Sequence, residues 1–302
     1  MKMKILVTGA NGLLGSNLCF MYRENFEVIA TSRKKPNIKG CNNVKLDITV
    51  REDVKKAEKL NPDMIIHCAA LTNVDYCEEH PEEAKEVHVT GSKNMAELAR
   101  KTNSYLVHIS TDAVFDGKKG NYSEKDTTKP MNIYGETKLE AEKEVLRIHK
   151  QSAVVRTTIY GWNKKDQFSI AEWMLDKLEN DKELTGFKDI FFSPILVNNL
   201  GEAILELYEL KYKGIINVAG SESCSKLEFA YKIAETFNLD KKKIVPIMSD
   251  NINFKAKRSK KATLNVEKAK RLLDTKLLNI KEGLERFKEL RDNGYRELIK
   301  NR

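Results

Sequence analysis

A doubly wound α/β fold, with a parallel sheet and a smaller, mainly helical C-terminal lobe, is the architecture that this chain of 302 residues predicts. Three observations lead there. Short, continuously apolar runs recur through the first half with helix-period segments between them, the pattern of strands covered by helices on both faces. The first run passes directly into a glycine-rich turn, Thr8-Gly9-Ala10-Asn11-Gly12-Leu13-Leu14-Gly15. After Arg156 the alternation gives way to a series of helical patterns.

Taken in order, the runs at 4–7, 27–30, 44–46, 64–68, 105–109 and 153–155 read as strands. A helix is predicted over 81–101, where Pro81, Glu82 and Glu83 suit a first turn, and another over 131–150. Parallel strands joined this way use right-handed crossovers. Helical patterns follow at 167–180, 197–210, 226–238, 266–273 and 280–300, with strand-like segments at 215–218 and 244–245. Residues 1–160 are expected to form a dinucleotide-binding Rossmann domain to which 194–220 returns. Residues 161–193 and 221–302 are expected to form a substrate-binding lobe.

Composition narrows the classes of function. At 41% hydrophobic and 32% charged residues the chain is globular rather than disordered or fibrous. No run approaches the roughly 20 apolar residues of a membrane span. The N-terminal apolar run breaks at once into the turn, so a cytoplasmic protein with no membrane partner is expected. Five cysteines include no C-x-x-C pair, and Cys77 with His80 lacks a second ligand pair, so no metal site is expected. The net charge of +9 comes from lysines balanced locally by glutamates. The denser basic run at 255–261 has no interleaved aromatics, which argues against nucleic acid and for phosphate-bearing ligands.

The glycine turn has a specific chemistry. Gly9 permits the tight turn, Gly12 the approach of a pyrophosphate, and Gly15 the packing of helix on strand. Asn11, Leu13 and Leu14 complete the loop, and the helix N-terminus offers unpaired N–H groups to the phosphates. An NAD-preferring site needs a carboxylate at the end of the second strand. Here that strand ends Ala30-Thr31-Ser32-Arg33-Lys34, where Ser32 and Arg33 suit a 2′-phosphate, so NADP(H) is expected over NAD(H). Further on, Tyr134 and Lys138 lie one helical turn apart on one face. The ammonium of Lys138 is expected to lower the pKa of the phenol, making it a proton donor and acceptor near neutral pH. Ser110-Thr111-Asp112 stands upstream of that pair.

Together these pieces resemble the extended short-chain dehydrogenase/reductase superfamily, and more closely its dTDP-4-dehydrorhamnose reductase branch. The resemblance runs from Met3 to about Arg286 and is most specific at 67–75, 110–117 and 130–138, with family-like segments at 155–161 and 193–200. It implies a nicotinamide cofactor and reduction of the 4-keto group of a nucleoside-diphosphate 4-keto-6-deoxysugar. By the resemblance, Thr111 hydrogen-bonds the reacting oxygen, Tyr134 donates the proton, and Lys138 tunes the tyrosine and holds the nicotinamide ribose. Asp47 and Ile48 flank the adenine. Cys68, Ala69 and Ala70 line the cofactor beside the fourth strand. Thr72, Val74 and Asp75 line the nicotinamide and sugar pocket, with Asp112 and Trp162 also on the substrate side, and Arg258 faces the diphosphate. The branch's frequent tyrosine after Thr-Asp is Ala113 here, the proline usual after the arginine is Ser259, and His88 stands where extended members commonly carry asparagine. His88 is expected to be a packed side chain rather than a proton carrier. A 4,6-dehydratase needs an Asp-Glu pair where this chain has Asp112-Ala113. An epimerase, and a non-catalytic NADP-binding subunit like that of methionine adenosyltransferase, remain as alternatives, and the resemblance leaves a homodimer open.

Overall fold

The computed structural model describes residues 2–164 and 167–300. The chain opens with β1 (Lys4–Thr8), α1 (Leu13–Tyr22), β2 (Glu27–Ser32), β3 (Asn42–Lys45), α2 (Arg51–Ala57), β4 (Met64–His67) and α3 (Val74–Glu79). It continues through α4 (Pro81–Lys85), a π-helical turn (Glu86–Thr90), α5 (Gly91–Thr102), β5 (Tyr105–Thr111), α6 (Ile133–Ile148) and β6 (Ser152–Thr157). The second half contains β7 (Ile159–Tyr160), α7 (Ile170–Glu179), β8 (Leu184–Phe187), β9 (Phe191–Phe192), β10 (Ile195–Leu196) and α8 (Val197–Glu209). It ends with β11 (Gly214–Asn217), β12 (Cys224–Ser225), α9 (Lys226–Phe237), β13 (Ile244–Ile247), α10 (Glu267–Leu272), α11 (Ile280–Asp292) and α12 (Tyr295–Lys300).

Among the described residues, seven strands form one parallel sheet in the order β11-β6-β5-β4-β1-β2-β3. The strand order reverses between β1 and β4, and such a switch point opens a crevice at the carboxyl ends of the strands. Alternation along the strands sets the two faces. Ile5 and Val7 pack with Leu14 and Leu18 of α1 and Leu200 and Ile204 of α8. Leu6 points the other way, with Ile65, Leu106 and Val154, onto Met95 and Leu98 of α5. A separate apolar cluster built on Trp162, Leu175, Phe229, Ile233 and Phe287 sits among α7, α9 and α11.

Several elements differ from the sequence reading. The helices at α2 and α3 were not foreseen because each is short. The helix expected over 81–101 is interrupted by its π turn. The one expected over 280–300 breaks at Gly294, whose φ of 76° lies in the left-handed region. No helix of the described residues is long and apolar enough to cross a membrane.

Candidate functional site

A cleft of about 990 Å³ lies along the carboxyl edge of the sheet, between the strand ends and the residues that follow β7. Its nucleotide end is built by the glycine turn. Gly9 has φ +66°, and a Cβ there would stand 2.9 Å from the Ala69 backbone. A Cβ on Gly15 would meet the Gly9 carbonyl oxygen at 2.4 Å, so both glycines serve packing. Thr8 pins the facing loop, its Oγ1 accepting from the N–H groups of Cys68 and Ala69 at 3.1 and 3.2 Å. Gly12 caps α1 with no side-chain hydrogen bond, and no acidic residue occupies the first turn. The N–H groups of Leu13, Leu14 and Gly15 therefore face the cleft as donors for an anion.

Next to the glycine turn, the cleft is shaped by the loop after β3. Asp47 accepts from the Thr49 N–H and hydroxyl at 3.0 and 2.7 Å, while the Ile48 carbonyl accepts from Asn94 at 2.7 Å. Asn11 donates to the Lys34 carbonyl at 2.8 Å, tying the glycine turn to the segment after β2. Ser32 and Arg33 line the cleft there, and Arg33 has no ion-pair or hydrogen-bond partner among the described residues. An unpaired guanidinium, bare helix N–H groups and a close glycine fit the phosphates of a dinucleotide.

At the other end the reactive groups converge. Asn132 caps α6 by accepting from the Gly135 N–H at 2.9 Å. Gly135 is required by contact, because a Cβ would stand 2.3 Å from the Ala113 carbonyl oxygen. That contact presses the first turn of α6 onto the 112–114 turn, with Tyr134 close enough to Thr111 for the threonine to act on its phenol. Lys138, buried one turn later, donates to the Ile109 carbonyl at 2.7 Å. Thr111, Asp112, Tyr134, Lys138, Cys68, Ala69, Ala70, Thr72 and Val74 all line the cleft.

The electrostatics differ from expectation in one respect. Burial pushes the Tyr134 phenol up to about 12, the Thr111 hydrogen bond pulls it back, and Asp112 and Cys77 push it further up. The Lys138 ammonium donates to the Ile109 carbonyl and is itself pushed down to about 8 by burial. The phenol is thus held protonated, which suits donation of a proton.

One substrate-side expectation needs correction. Trp162 is fully buried, stacked on Phe287 at 3.8 Å, with Nε1 donating to the Phe287 carbonyl at 2.9 Å. It belongs to the core of α11, and no ligand reaches it. Asp75 and Arg258, both partly exposed, lie just past Val74 at the rim of the cleft wall. They pair with each other at 2.7 Å, and Asp75 also accepts from the Ala256 N–H at 2.9 Å. The sequence reading also missed residues that do line the cleft, among them Thr158, Asn163 and Lys226. Lys226 belongs to a segment far downstream, and only the fold brings it here.

A doubly wound sheet with a threonine, a tyrosine and a lysine gathered at its carboxyl edge defines a short-chain dehydrogenase/reductase of the extended type. The chain belongs to the family described as the RmlD substrate binding domain, whose model matches residues 3–291. Among solved structures, a hypothetical dTDP-4-dehydrorhamnose reductase from Sulfolobus tokodaii is 37% identical, covering 92% of this chain and 97% of that one, with a TM-score of 0.82. A dTDP-4-dehydrorhamnose reductase from Bacillus anthracis in complex with NADP is 30% identical, covering 96% and 99%, with a TM-score of 0.87. Among curated proteins, methionine adenosyltransferase 2 subunit beta of Xenopus laevis is 32% identical over 261 residues, 82% of this chain and 76% of that protein.

Proposed function

We propose that this protein is an NADPH-dependent oxidoreductase that reduces the 4-keto group of a nucleoside-diphosphate 4-keto-6-deoxysugar. The observation that carries the reading is that Thr111, a protonated Tyr134 and Lys138 line one cleft together with the glycine turn. Gly12, the α1 N-terminus, Ser32 and Arg33 would hold the cofactor's phosphates, Asp47 and Ile48 its adenine, and Lys138 its nicotinamide ribose. Bound NADPH supplies the hydride. Tyr134 donates its proton to the sugar's carbonyl oxygen as negative charge develops there. Thr111 donates a hydrogen bond to the same oxygen, stabilising that charge. The Thr111 hydroxyl donates to the neighbouring Asp112 at 3.1 Å and would turn its hydrogen from that carboxylate to the carbonyl oxygen, leaving Asp112 to contact the sugar. The kinship with the Sulfolobus and Bacillus proteins supports the substrate class.

The test is a panel of dTDP-, GDP-, UDP- and CDP-linked 4-keto-6-deoxysugars, following NADPH absorbance. Net loss of absorbance with one of them is expected, faster with NADPH than with NADH. No loss with any sugar would refute the reading. The likeness to methionine adenosyltransferase 2 subunit beta supports a second one, an NADP-binding partner without turnover. A stoichiometric complex in a pull-down, with no reductase activity, would establish it instead. The preference for NADPH has its own check. Arg33→Ala is expected to raise the KM for NADPH about tenfold, one charge-assisted contact's worth, while leaving that for NADH unchanged.

A further inference from the structure

Lys226 is the first residue of α9, in the part of the chain opposite the nucleotide half of the cleft. Its backbone is fixed three ways. Ser225 and Glu228 form a capping box, β12 pairs antiparallel with β9, and the Lys226 N–H donates to the Ile190 carbonyl at 2.9 Å. The side chain crosses the Phe192 ring, with Nζ 3.3 Å from its centroid, and lines the cleft beside Thr157, Thr158 and Asp112. A cation at a helix N-terminus opposes the macrodipole, so helix stability does not account for it. Among the described residues no acceptor takes a hydrogen bond from its Nζ. Asp112 is near enough for its charge to be felt at Lys226, yet the two form no ion pair. A half-buried ammonium without an acceptor and a half-buried carboxylate held by Thr111 therefore line one cleft, and an ammonium removed from water is costly until something takes its hydrogen bonds.

We propose that Lys226 and Asp112 together read a hydroxyl on the sugar ring, on the carbon next to the reacting carbonyl, with Lys226 Nζ donating to the hydroxyl oxygen and Asp112 accepting from its hydrogen. A hydroxyl is the group that satisfies a donor and an acceptor at once. The location follows from Thr111, which lies next to Asp112 in the chain and would hold the carbonyl oxygen. Lys226 is a specificity residue rather than a proton carrier, and it joins the far wall of the cleft to the sheet edge through the ligand. The inference rests on the proposed reduction of a nucleotide sugar.

The test is calorimetric titration of the NADP⁺-loaded full chain with dTDP-rhamnose and, separately, with dTDP. Lys226→Met is expected to weaken dTDP-rhamnose about 10- to 100-fold, the range for a hydrogen bond to a charged group, and to leave dTDP and NADP⁺ affinities unchanged. Lys226→Arg is expected to recover part of the loss. Wild-type affinity of Lys226→Met for dTDP-rhamnose would overturn this inference and leave the reductase reading standing. Equal losses on dTDP and dTDP-rhamnose would place Lys226 at the diphosphate and overturn the hydroxyl assignment. Loss of NADP⁺ affinity would mark Lys226 as a structural residue only. A wild-type protein that binds neither probe would overturn this inference, and the panel of nucleotide sugars would decide the reductase reading separately.

Discussion

His88 ties two parts of the site together through both of its ring nitrogens. Nδ1 shares a hydrogen bond with the Thr137 hydroxyl at 2.8 Å. Nε2 lies 3.0 Å from both the N–H and the carbonyl oxygen of Leu71. The ring thus links the helix of Tyr134 to the loop after β4, and its edge meets the Tyr134 ring at 5.6 Å between centroids. Burial, with the charge of Lys138 second, lowers its pKa to about 3, against 6.5 in an open chain. The unfolded chain therefore takes up the proton first, and the stability contributed by neutral His88 is complete above pH 6.5 and lost as pH falls toward 3. In urea melts, His88→Asn is expected to flatten the decline of unfolding free energy between pH 6.5 and 4 relative to wild type. Parallel declines would show that His88 is not buried neutral. The sequence identified His88 as packed, but its partners lie 17 and 49 residues away, beyond the reach of a local pattern. The direction of the Tyr134 shift was misjudged for a related reason. Helical spacing places Lys138 on the right face, but it does not show that the ammonium turns to Ile109.

At the scale of elements, a buried ionic network fixes β5, β6 and α6 together. Arg156 Nε and Nη2 donate to the two oxygens of Glu142 at 2.9 and 2.7 Å, and the Ser110 hydroxyl donates to the same carboxylate. Arg156 and Glu142 are 2% and 1% exposed, so neither charge has water to fall back on. Glu142 also lies one turn beyond Lys138 and acts to raise that lysine's pKa against its burial. The network therefore holds the strand that ends in Thr111 against the helix that carries Tyr134. Arg156→Met leaves an unpaired buried carboxylate and is expected to destabilise the protein by about 3–5 kcal/mol in denaturant melts. A loss below about 1 kcal/mol, the range of a surface pair, would show that the carboxylate finds water. The strands themselves were legible, because continuous apolar runs are a local signal. The network was not, since Glu142 reads as one more charge on a helix rich in them.

Over the whole molecule, legibility declines from the sheet to the second core. The Gly9–Gly15 turn, the strand ends and the Tyr134–Lys138 spacing each repeat a pattern with a physical reason, and they fall on one cleft. Across from them the wall is made by residues after β7 and by α9, brought there by β12 pairing with β9. No spacing rule joins Lys226 to Asp112, just as none warns that Trp162 turns inward onto Phe287 or that Arg258 closes on Asp75. The substrate side is set by tertiary contacts, which is why its residues were the least well foreseen. Both walls meet at one phenolic hydroxyl, so the most direct measurement is single-turnover oxidation of NADPH by Tyr134→Phe with the sugar that the panel selects. A rate lowered about 10²- to 10⁴-fold, with NADPH binding unchanged, is the predicted result. Turnover at the wild-type rate would contradict the assignment of Tyr134 as the proton donor.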